Sequence, residues 1–250
     1  MISISIVSHG QCGLVEALLD DLSACARYVP FEVLLTLNIP EAPRFALERF
    51  PYPLRILENP IPKGFGANHN AAFSYATKQW FCVMNPDIRL PENPFPHMLA
   101  ELERLRGALI APATLSPTGR CEDSVRHFPT LCSLVMKAIG ADNGMYAYSL
   151  DDDTFRADWV GGMFMLFRAE DFRRVAGFDE GFFLYYEDVD ICARLWKAGG
   201  KVLVCPKARA IHDAQRASRR DFRYMRWHLS SMARYFAKHW LRLPTTGCSI

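Results

Sequence analysis

The first half of the chain alternates apolar runs of strand length with helical segments, and this alternation restricts the fold more than any other feature. Strands are predicted at 2–8, 31–37, 54–57 and 80–84, and a helix at 14–25. The pattern predicts an α/β protein with a mostly parallel sheet, in which ligands bind beyond the carboxyl ends of the strands. The loops expected to face one crevice contain His9, Asn38, Asn59 and Asn85.

The composition is that of a soluble globular protein. Of the 250 residues, 50% are apolar and 22% are charged, which is close to the average for such proteins. No apolar run reaches the roughly 18 residues of a membrane-spanning helix. The beginning, MISISIVSHG, is interpreted as a strand and not as a signal peptide, so a cytoplasmic location is expected. Eight cysteines without a CxxC pair favour reduced thiols over a disulfide framework or a zinc site.

An unusual stretch at 177–194 mixes acids with aromatic residues. Its carboxylates are Asp179, Glu180, Glu187, Asp188 and Asp190, and its aromatic residues are Phe182, Phe183, Tyr185 and Tyr186. Acids among bulky apolar groups lose hydration, which raises their pKa and makes them better proton acceptors near neutral pH. The following periodicity predicts a helix with Glu187 and Asp188 in its first turn. Simple helix capping is the alternative role for those two acids.

Two loops before this stretch have the chemistry of ligand sites. In the first, Gly64 and Gly66 allow a close backbone approach, and a helix predicted at 67–78 offers its N-terminus to an anion. In the second, Asn85-Pro86-Asp87 places an acid at the tip of a strand, where it could hold a divalent cation. Each loop also fits an ordinary structural turn.

The segment 158–168 is predicted to be a strand that opens with Gly161-Gly162. Paired glycines in an apolar run are typical of a close approach by a ligand or another backbone. Trp159 could stack on a sugar ring or belong to the core. His212 follows a further predicted strand at 201–205 and, taken alone, has the character of a hydrogen-bonded surface residue.

The chain contains four motifs in order, followed by a histidine: Gly-Phe-Gly at 64–66, Asn-Pro-Asp at 85–87, Trp-Val-Gly-Gly at 159–162, Tyr-Glu-Asp-Val-Asp at 186–190, and His212. Together they resemble family 2 glycosyltransferases, in particular their bacterial rhamnosyltransferase-like branch. The resemblance implies a GT-A fold over 1–212, with a nucleotide half at about 1–112 and an acceptor half at about 113–212, followed by a tail at 213–250. The implied reaction is inverting transfer of a sugar from a nucleotide diphosphate sugar to an acceptor hydroxyl. The branch suggests dTDP-L-rhamnose as donor and a surface-glycan or lipid-linked acceptor.

The resemblance also implies roles for individual residues. Asp188 would be the general base, with Glu187 beside it. Asp87 and His212 would form a mixed O/N site for Mg²⁺ or Mn²⁺. The residues expected to bind the nucleotide sugar are Ser8, His9, Asn38, Asn59, Gly64, Phe65, Gly66, Asn70, Asn85 and Asp87. Those expected to bind the acceptor are Trp159, Gly161, Gly162 and Tyr186.

The chain departs from the family pattern at one position. An acid that binds the nucleotide base usually precedes Asn38, but this chain has Leu37 there, so base recognition is expected to differ. A non-catalytic relative of the fold would have lost its base or metal residue, whereas Asp87, Asp188 and His212 are all present. A nucleotidyltransferase would need a basic glycine-rich loop, and the glycines at 8–13 have no Lys or Arg among them.

The tail is basic and aromatic. Residues 207–242 contain ten Lys or Arg and two Asp, so this segment carries +8 whereas the whole chain carries +2. One or two helices are predicted over 216–240. Such a helix could lie on the inner face of the cytoplasmic membrane as a peripheral contact, or it could pack on the domain, and the sequence leaves both open. Nucleic-acid binding is disfavoured because no recognised motif accompanies the charge.

Overall fold

The computed structural model describes residues 1–141, 144–213, 222–239, 242–244 and 246. The strands are β1 (Ile2–Ser8), β2 (Phe31–Leu37), β3 (Leu54–Glu58), β4 (Trp80–Met84), β5 (Ile88–Arg89), β6 (Leu109–Leu115), β7 (Val125–Arg126), β8 (Phe155–Arg156), β9 (Trp159–Val160), β10 (Phe164–Arg168) and β11 (Val202–His212). The helices are α1 (Cys12–Cys25), α2 (Phe65–Phe73), α3 (Phe95–Arg104), α4 (Leu131–Ala138), α5 (Ala169–Arg174), α6 (Glu187–Lys197) and α7 (Phe222–His239), with a short 3-10 helix at Leu47–Arg49.

One large sheet forms the centre of the molecule, with strand order β3-β2-β1-β4-β10-β6-β11-β5 and β8 paired to β11. Strands β1 to β4 are parallel to one another, and β6 is parallel to β11. Strand β10 is antiparallel to both β4 and β6, and β5 is antiparallel to β11. The predicted α/β class with a mostly parallel sheet is therefore confirmed.

Both faces of the sheet are covered, which explains why the central strands are apolar along their whole length. On β4, Cys82 and Met84 face a core that includes α1 and α3. Phe81 and Val83 face the opposite core, to which α5, α6 and Tyr235 of α7 contribute. The protein is thus a three-layer sandwich, and β4 at its centre supplies apolar side chains to both cores.

Three elements differ from the sequence prediction. The helix predicted at 67–78 is α2, which begins at Phe65 and ends at Phe73. The segment predicted as one strand at 158–168 is two strands, β9 and β10, because residues 161–163 turn between them. The strand predicted at 201–205 continues to His212, across a register shift between Cys205 and Arg209.

The described part of the tail is one helix, α7, and it packs on the domain. Ser231, Tyr235 and His239 on one side of α7 are buried. The tail residues predicted to be helical at 216–221 and 240 lie outside the described residues. In the part of the chain that the structure describes, no helix is long and apolar enough to cross a bilayer.

Candidate functional site

The carboxyl ends of β1 and β4 mark the position where the strand order reverses. The chain moves outward from β1 to β2 and β3, and then crosses back so that β4 pairs with the other side of β1. Open α/β sheets bind ligands in the crevice at such a switch point. The sequence predicted that the loops containing His9, Asn38, Asn59 and Asn85 would face this crevice, and the contacts described next join the first three of them.

An asparagine network joins the loops after β1, β2 and β3. The Asn38 Oδ1 accepts hydrogen bonds from the Asn59 side chain at 2.9 Å and from the Lys63 backbone N–H at 2.8 Å. The Asn38 side-chain nitrogen lies 3.2 Å from His9 Nδ1, and Asn59 also donates to Asn68 Oδ1 at 2.6 Å. His9, Asn38 and Asn59, all predicted to bind the nucleotide, are therefore brought together, and Asn68 joins them.

Glu41 holds the loop after β1, a role that no sequence pattern indicates. Ser8 Oγ donates to one oxygen of Glu41 at 2.6 Å, and the Cys12 backbone N–H donates to the other at 2.6 Å. Although burial alone raises it, these hydrogen bonds lower the pKa of Glu41 below its ordinary value. Helix α1 has no side-chain cap from its own Gln11, so Glu41 supplies the capping acceptor from a distant loop.

Asp87 and His212 adjoin because β5 pairs antiparallel with β11, which sets His212 opposite Ile88. The His212 Nε2 lies 3.4 Å from Asp87 Oδ2, and its Nδ1 lies 2.6 Å from Glu122 Oε2. Although burial lowers it, the hydrogen bonds to Asp87 and Glu122 raise the pKa of His212 to about 9. Glu122 was not predicted, since only the pairing of Leu115 with Cys121 brings it beside β11.

The donor set at this position suits a hard divalent cation. The Asp87 Oδ1 is buried without a hydrogen-bond partner, and such an orphaned acceptor calls for a ligand. The carboxylate and the imidazole nitrogen are both ligands that Mn²⁺ and Mg²⁺ sites accept. Glu122 would orient the imidazole from behind, as carboxylates do behind metal-bound histidines. No cluster of three or more protein metal ligands occurs among the described residues, so further ligands would have to come from a bound diphosphate or water.

The turn at residues 161–163 links the loop that contains Asn85 and Asp87 to the acid pair, Glu187 and Asp188. The Met163 carbonyl accepts from the Asn85 backbone N–H at 2.9 Å. The Gly162 N–H donates to Asp188 Oδ2 at 3.1 Å. A Cβ on Gly162 would lie 3.2 Å from Phe65 Cζ and 3.6 Å from Asp188 Cβ. The paired glycines therefore permit the close approach of the protein's own groups.

Helix α6 begins at the acid pair after an unusual backbone. Tyr185 and Tyr186 both adopt left-handed conformations, with φ of 70° and 67°, and such residues cost about 1–3 kcal/mol each unless the surroundings hold them. The Tyr186 ring contacts His228 and Tyr235 of α7. This packing keeps the strained turn in place, and the turn aims the first residues of α6 at Gly162.

The two acids differ in environment. Glu187 is 5% exposed, and its Oε2 has no hydrogen-bond partner. Burial and the neighbouring Asp188 raise the pKa of Glu187 well above its ordinary value. Burial also raises the pKa of Asp188, although the Val189 and Gly162 N–H groups oppose the shift. Because its oxygens accept two backbone hydrogen bonds, Asp188 is the better-stabilised anion of the pair.

A groove of about 640 Å³ opens above these acids. Trp159, Tyr186, Glu187 and Asp188 line it, together with the basic side chains Arg126, His127 and His228. Trp159 is anchored by its indole N–H, which donates to the His127 carbonyl at 2.9 Å. The residues predicted to contact the acceptor and those predicted to be catalytic therefore share one concave surface, with Gly161 and Gly162 in the turn beside it.

The Gly64-Phe65-Gly66 segment, where α2 begins, packs on other parts of the protein. A Cβ on Gly64 would lie 2.6 Å from the Phe183 carbonyl oxygen, and one on Gly66 would lie 2.6 Å from Phe178 Cβ. Asn70 accepts from the Phe178 N–H at 2.9 Å and donates to the Phe178 carbonyl at 2.9 Å. These contacts account for both glycines and for Asn70 without a ligand. Donor binding by Gly64, Phe65, Gly66 and Asn70 stays a prediction.

Comparison with known proteins supports one family for the whole chain. The model of glycosyl transferase family 2 matches residues 14–141, and that of the N-terminal domain of galactosyltransferase matches residues 147–218. The chain is 31% identical over 95% of its length to the rhamnosyltransferase WbbL of Escherichia coli K12, and covers 93% of it. It is 28% identical over 77% of its length to the N-acetylglucosaminyl-diphospho-decaprenol L-rhamnosyltransferase of Mycobacterium tuberculosis, and covers 69% of that protein.

Solved structures share the fold at low identity. GalNAc-T7 with UDP, GalNAc and Mn²⁺ superposes with a TM-score of 0.63 at 14% identity over 86% of this chain. The mannosyltransferase PcManGT from Pyrobaculum calidifontis, in complex with GDP-Man and Mn²⁺, superposes with a TM-score of 0.64 at 15% identity over 95% of this chain. This chain covers 44% and 63% of those two chains, less than two thirds of each.

These likenesses confirm the GT-A fold. The family model spans half of the chain, and the match to the Escherichia coli relative extends over nearly all of it. The chain is a glycosyltransferase and belongs to glycosyltransferase family 2.

Proposed function

We propose that this glycosyltransferase moves L-rhamnose from a nucleotide diphosphate, dTDP-L-rhamnose, to a hydroxyl of a lipid-linked surface-glycan acceptor, with inversion at the anomeric carbon. Two relatives are named rhamnosyltransferases, and the name of one of them includes a diphospho-decaprenol acceptor. The basic side chains Arg126, His127 and His228 in the groove suit an acceptor that carries phosphate.

The observation that carries the proposal is the turn at residues 161–163. Its Met163 carbonyl accepts a hydrogen bond from the N–H of Asn85, two residues before Asp87. Its Gly162 N–H donates to Asp188, which lines the groove. A donor whose diphosphate lies near Asp87 and an acceptor in the groove would thus meet across one short, rigid segment. Holding two reactants in line removes a large entropic part of the barrier.

Asp188 is the general base of the proposed reaction. Asp188 lines the groove, and its Oδ2 is oriented by the Gly162 N–H. Burial raises its pKa, so the carboxylate is a stronger proton acceptor than an exposed aspartate. As the acceptor hydroxyl attacks the anomeric carbon, its proton passes to Asp188. Glu187 stays protonated, which leaves the single negative charge of the pair on Asp188.

Asp87 and His212 would hold the divalent cation, with Glu122 fixing the imidazole. A bound Mg²⁺ or Mn²⁺ would supply positive charge at the leaving diphosphate. The Mn²⁺ in the two solved structures of the same fold supports a divalent cation for this chain. His9, Asn38 and Asn59 surround the crevice where the nucleoside would lie, with Asn38 in the position next to the missing acid.

The substitution Asp188→Asn tests the assignment of the base. It keeps the shape of the side chain and removes its basicity, so transfer to the acceptor should fall about 10²–10⁴-fold. Donor binding should stay within about twofold of the wild type, measured as the rise in melting temperature with dTDP and Mn²⁺. The matched control is Asp151→Asn, in an exposed loop away from the groove. Near-normal turnover by Asp188→Asn would refute the assignment.

A further inference from the structure

Helix α4 turns its apolar side chains outward. Leu131 is 47% exposed, Val135 61%, Met136 37%, and Ile139, just after the helix, 70%. The apolar side chains of α3, by contrast, are buried against the sheet. A surface helix normally buries its apolar face in the core, so an outward apolar face on α4 indicates a partner outside the domain.

The first half of α7 has the same character, with positive charge added. Phe222, Met225 and Leu229 are 86%, 59% and 52% exposed, and their i, i+3, i+7 spacing puts them on one face. Arg223 and Arg226 are exposed in the same turns, and α7 contains no carboxylate. The second half of α7 is the part that packs on the domain, because Tyr235 and His239 are buried there.

The two outward faces border the same groove. Ser133 and Leu134 of α4 and His228 of α7 all line it. A smaller cavity of about 310 Å³ is also shared by the two helices, since Leu131 and Tyr235 both line it. The helices that carry the exposed apolar faces, α4 and α7, therefore both border the groove that contains Asp188.

We propose that α4 and the first half of α7 form one lipid-binding surface, which we term the rim surface, and that it seats the groove on an anionic bilayer. Short apolar helices inserted to the depth of the head groups, with arginines beside them, are what an interfacial segment requires. The arginines match the negative charge of anionic lipids. The rim surface borders the groove in which the proposed function places a lipid-linked acceptor. Lipid binding itself requires no sugar transfer.

Vesicle flotation tests the rim surface without donor or acceptor. The full chain is mixed with vesicles of phosphatidylglycerol and phosphatidylcholine, or of phosphatidylcholine alone. The wild type should float with the anionic vesicles and bind phosphatidylcholine at least about tenfold more weakly. Double substitutions Val135→Ser with Ile139→Ser, and Met225→Ser with Leu229→Ser, remove apolar area without adding charge. Each pair should weaken binding about tenfold or more.

The matched control is Tyr28→Ser, since Tyr28 is 75% exposed and lies after α1, on the other layer of the sandwich. It should bind vesicles as the wild type does. All variants should keep the wild-type melting temperature within a few degrees, because the substituted side chains are exposed. Asp188→Asn should also float like the wild type, which separates this test from that of the proposed function.

Three results would overturn the inference. The wild type could fail to float with anionic vesicles, or both serine pairs could float as well as the wild type. Alternatively, sedimentation in vesicle-free solution could show a dimer that both serine pairs abolish, in which case a second copy of the chain covers the rim surface.

Discussion

Two adjacent carboxyl groups at the start of α6 differ in their hydrogen-bond partners. Both side chains line the groove. Asp188 is held by two backbone N–H groups, whereas Oε2 of Glu187 is buried without a hydrogen-bond partner. A buried carboxylate without a partner destabilises the fold when it is ionised. The chain therefore tolerates Glu187 best in its protonated form, and this has a measurable consequence.

Glu187→Gln should stabilise the protein at neutral pH. The folded-state pKa of Glu187 is raised, so the folded protein holds this proton more tightly than the unfolded chain. The penalty is absent well below pH 4.5, grows as pH rises from there to the folded-state pKa, and is constant above it. The variant should gain about 1–3 kcal/mol at pH 8, seen as a higher melting temperature. The gain should shrink as the pH is lowered towards 4.5, and a pH-independent difference would contradict this account.

Asp87→Ala should remove the metal dependence of donor binding. In the wild type, we expect dTDP at about 100 times its Kd to add about 2.7 kcal/mol of stability when Mn²⁺ is present. The variant should lose most of that gain, because the orphaned oxygen is the proposed cation ligand. The measurement is the melting temperature with nucleotide, with and without Mn²⁺. Glu92→Ala, an exposed acid in the connection between β5 and α3, should behave like the wild type.

At the scale of secondary-structure elements, α7 is held to the domain by two acids of the stretch 177–194. Asp190 is fully buried and accepts from His239 Nε2 at 2.8 Å and from Arg194 Nε at 2.7 Å. Asp179 is more exposed and pairs with Arg234 and Lys238. The basic tail and the acidic stretch are thus partly each other's counterions.

Asp190→Asn and Asp179→Asn should differ sharply, although both acids contact α7. Removing the buried charge leaves cationic donors unpaired in the core, at a cost of about 3–5 kcal/mol. The more exposed pair should contribute about 0–1 kcal/mol. Urea unfolding of both variants measures the difference. Equal destabilisation would show that α7 is held mainly by its apolar contacts around Tyr235.

The elements that could be predicted from sequence are those specified by local patterns. Strands β2 and β4 are apolar runs, β1 alternates apolar residues with serine, and α6 has a clear helical period. The turn at 161–163 was missed because its cause is the packing of Phe65 against Gly162, nearly 100 positions apart in the printed sequence. Glu41 and Glu122 were missed for the same reason, since each acts through a residue of another element.

At the scale of the whole molecule, the two sides of the proposed reaction stand on different elements. The candidate cation site lies where β5 meets β11 in the large sheet, whereas the proposed base is on α6, beside the small sheet of β7 and β9. Strand β10 lies between β4 and β6, so strands from the two predicted halves alternate across the large sheet. The turn between β9 and β10 links the proposed donor and acceptor positions, because it hydrogen-bonds to Asn85 and to Asp188.

The proposed geometry predicts inversion of the anomeric configuration. A base that faces the acceptor, with the diphosphate on the opposite side, leads to a single displacement and no covalent intermediate. NMR of the product should show the anomeric configuration opposite to that of the donor. Retention would contradict the single displacement and would require a nucleophilic side chain at the anomeric carbon.

The position of β10 also has a consequence for how the chain is made. Strands β4 and β6 each need β10 as a neighbour, yet ribosomes add only about 5–20 residues per second. Strand β4 has an open edge from the synthesis of Met84 until that of Arg168, and β6 has one from the synthesis of Leu115, and open edges invite pairing with other chains. The nascent protein is thus most exposed to aggregation during those seconds, when chaperones would have the most to protect.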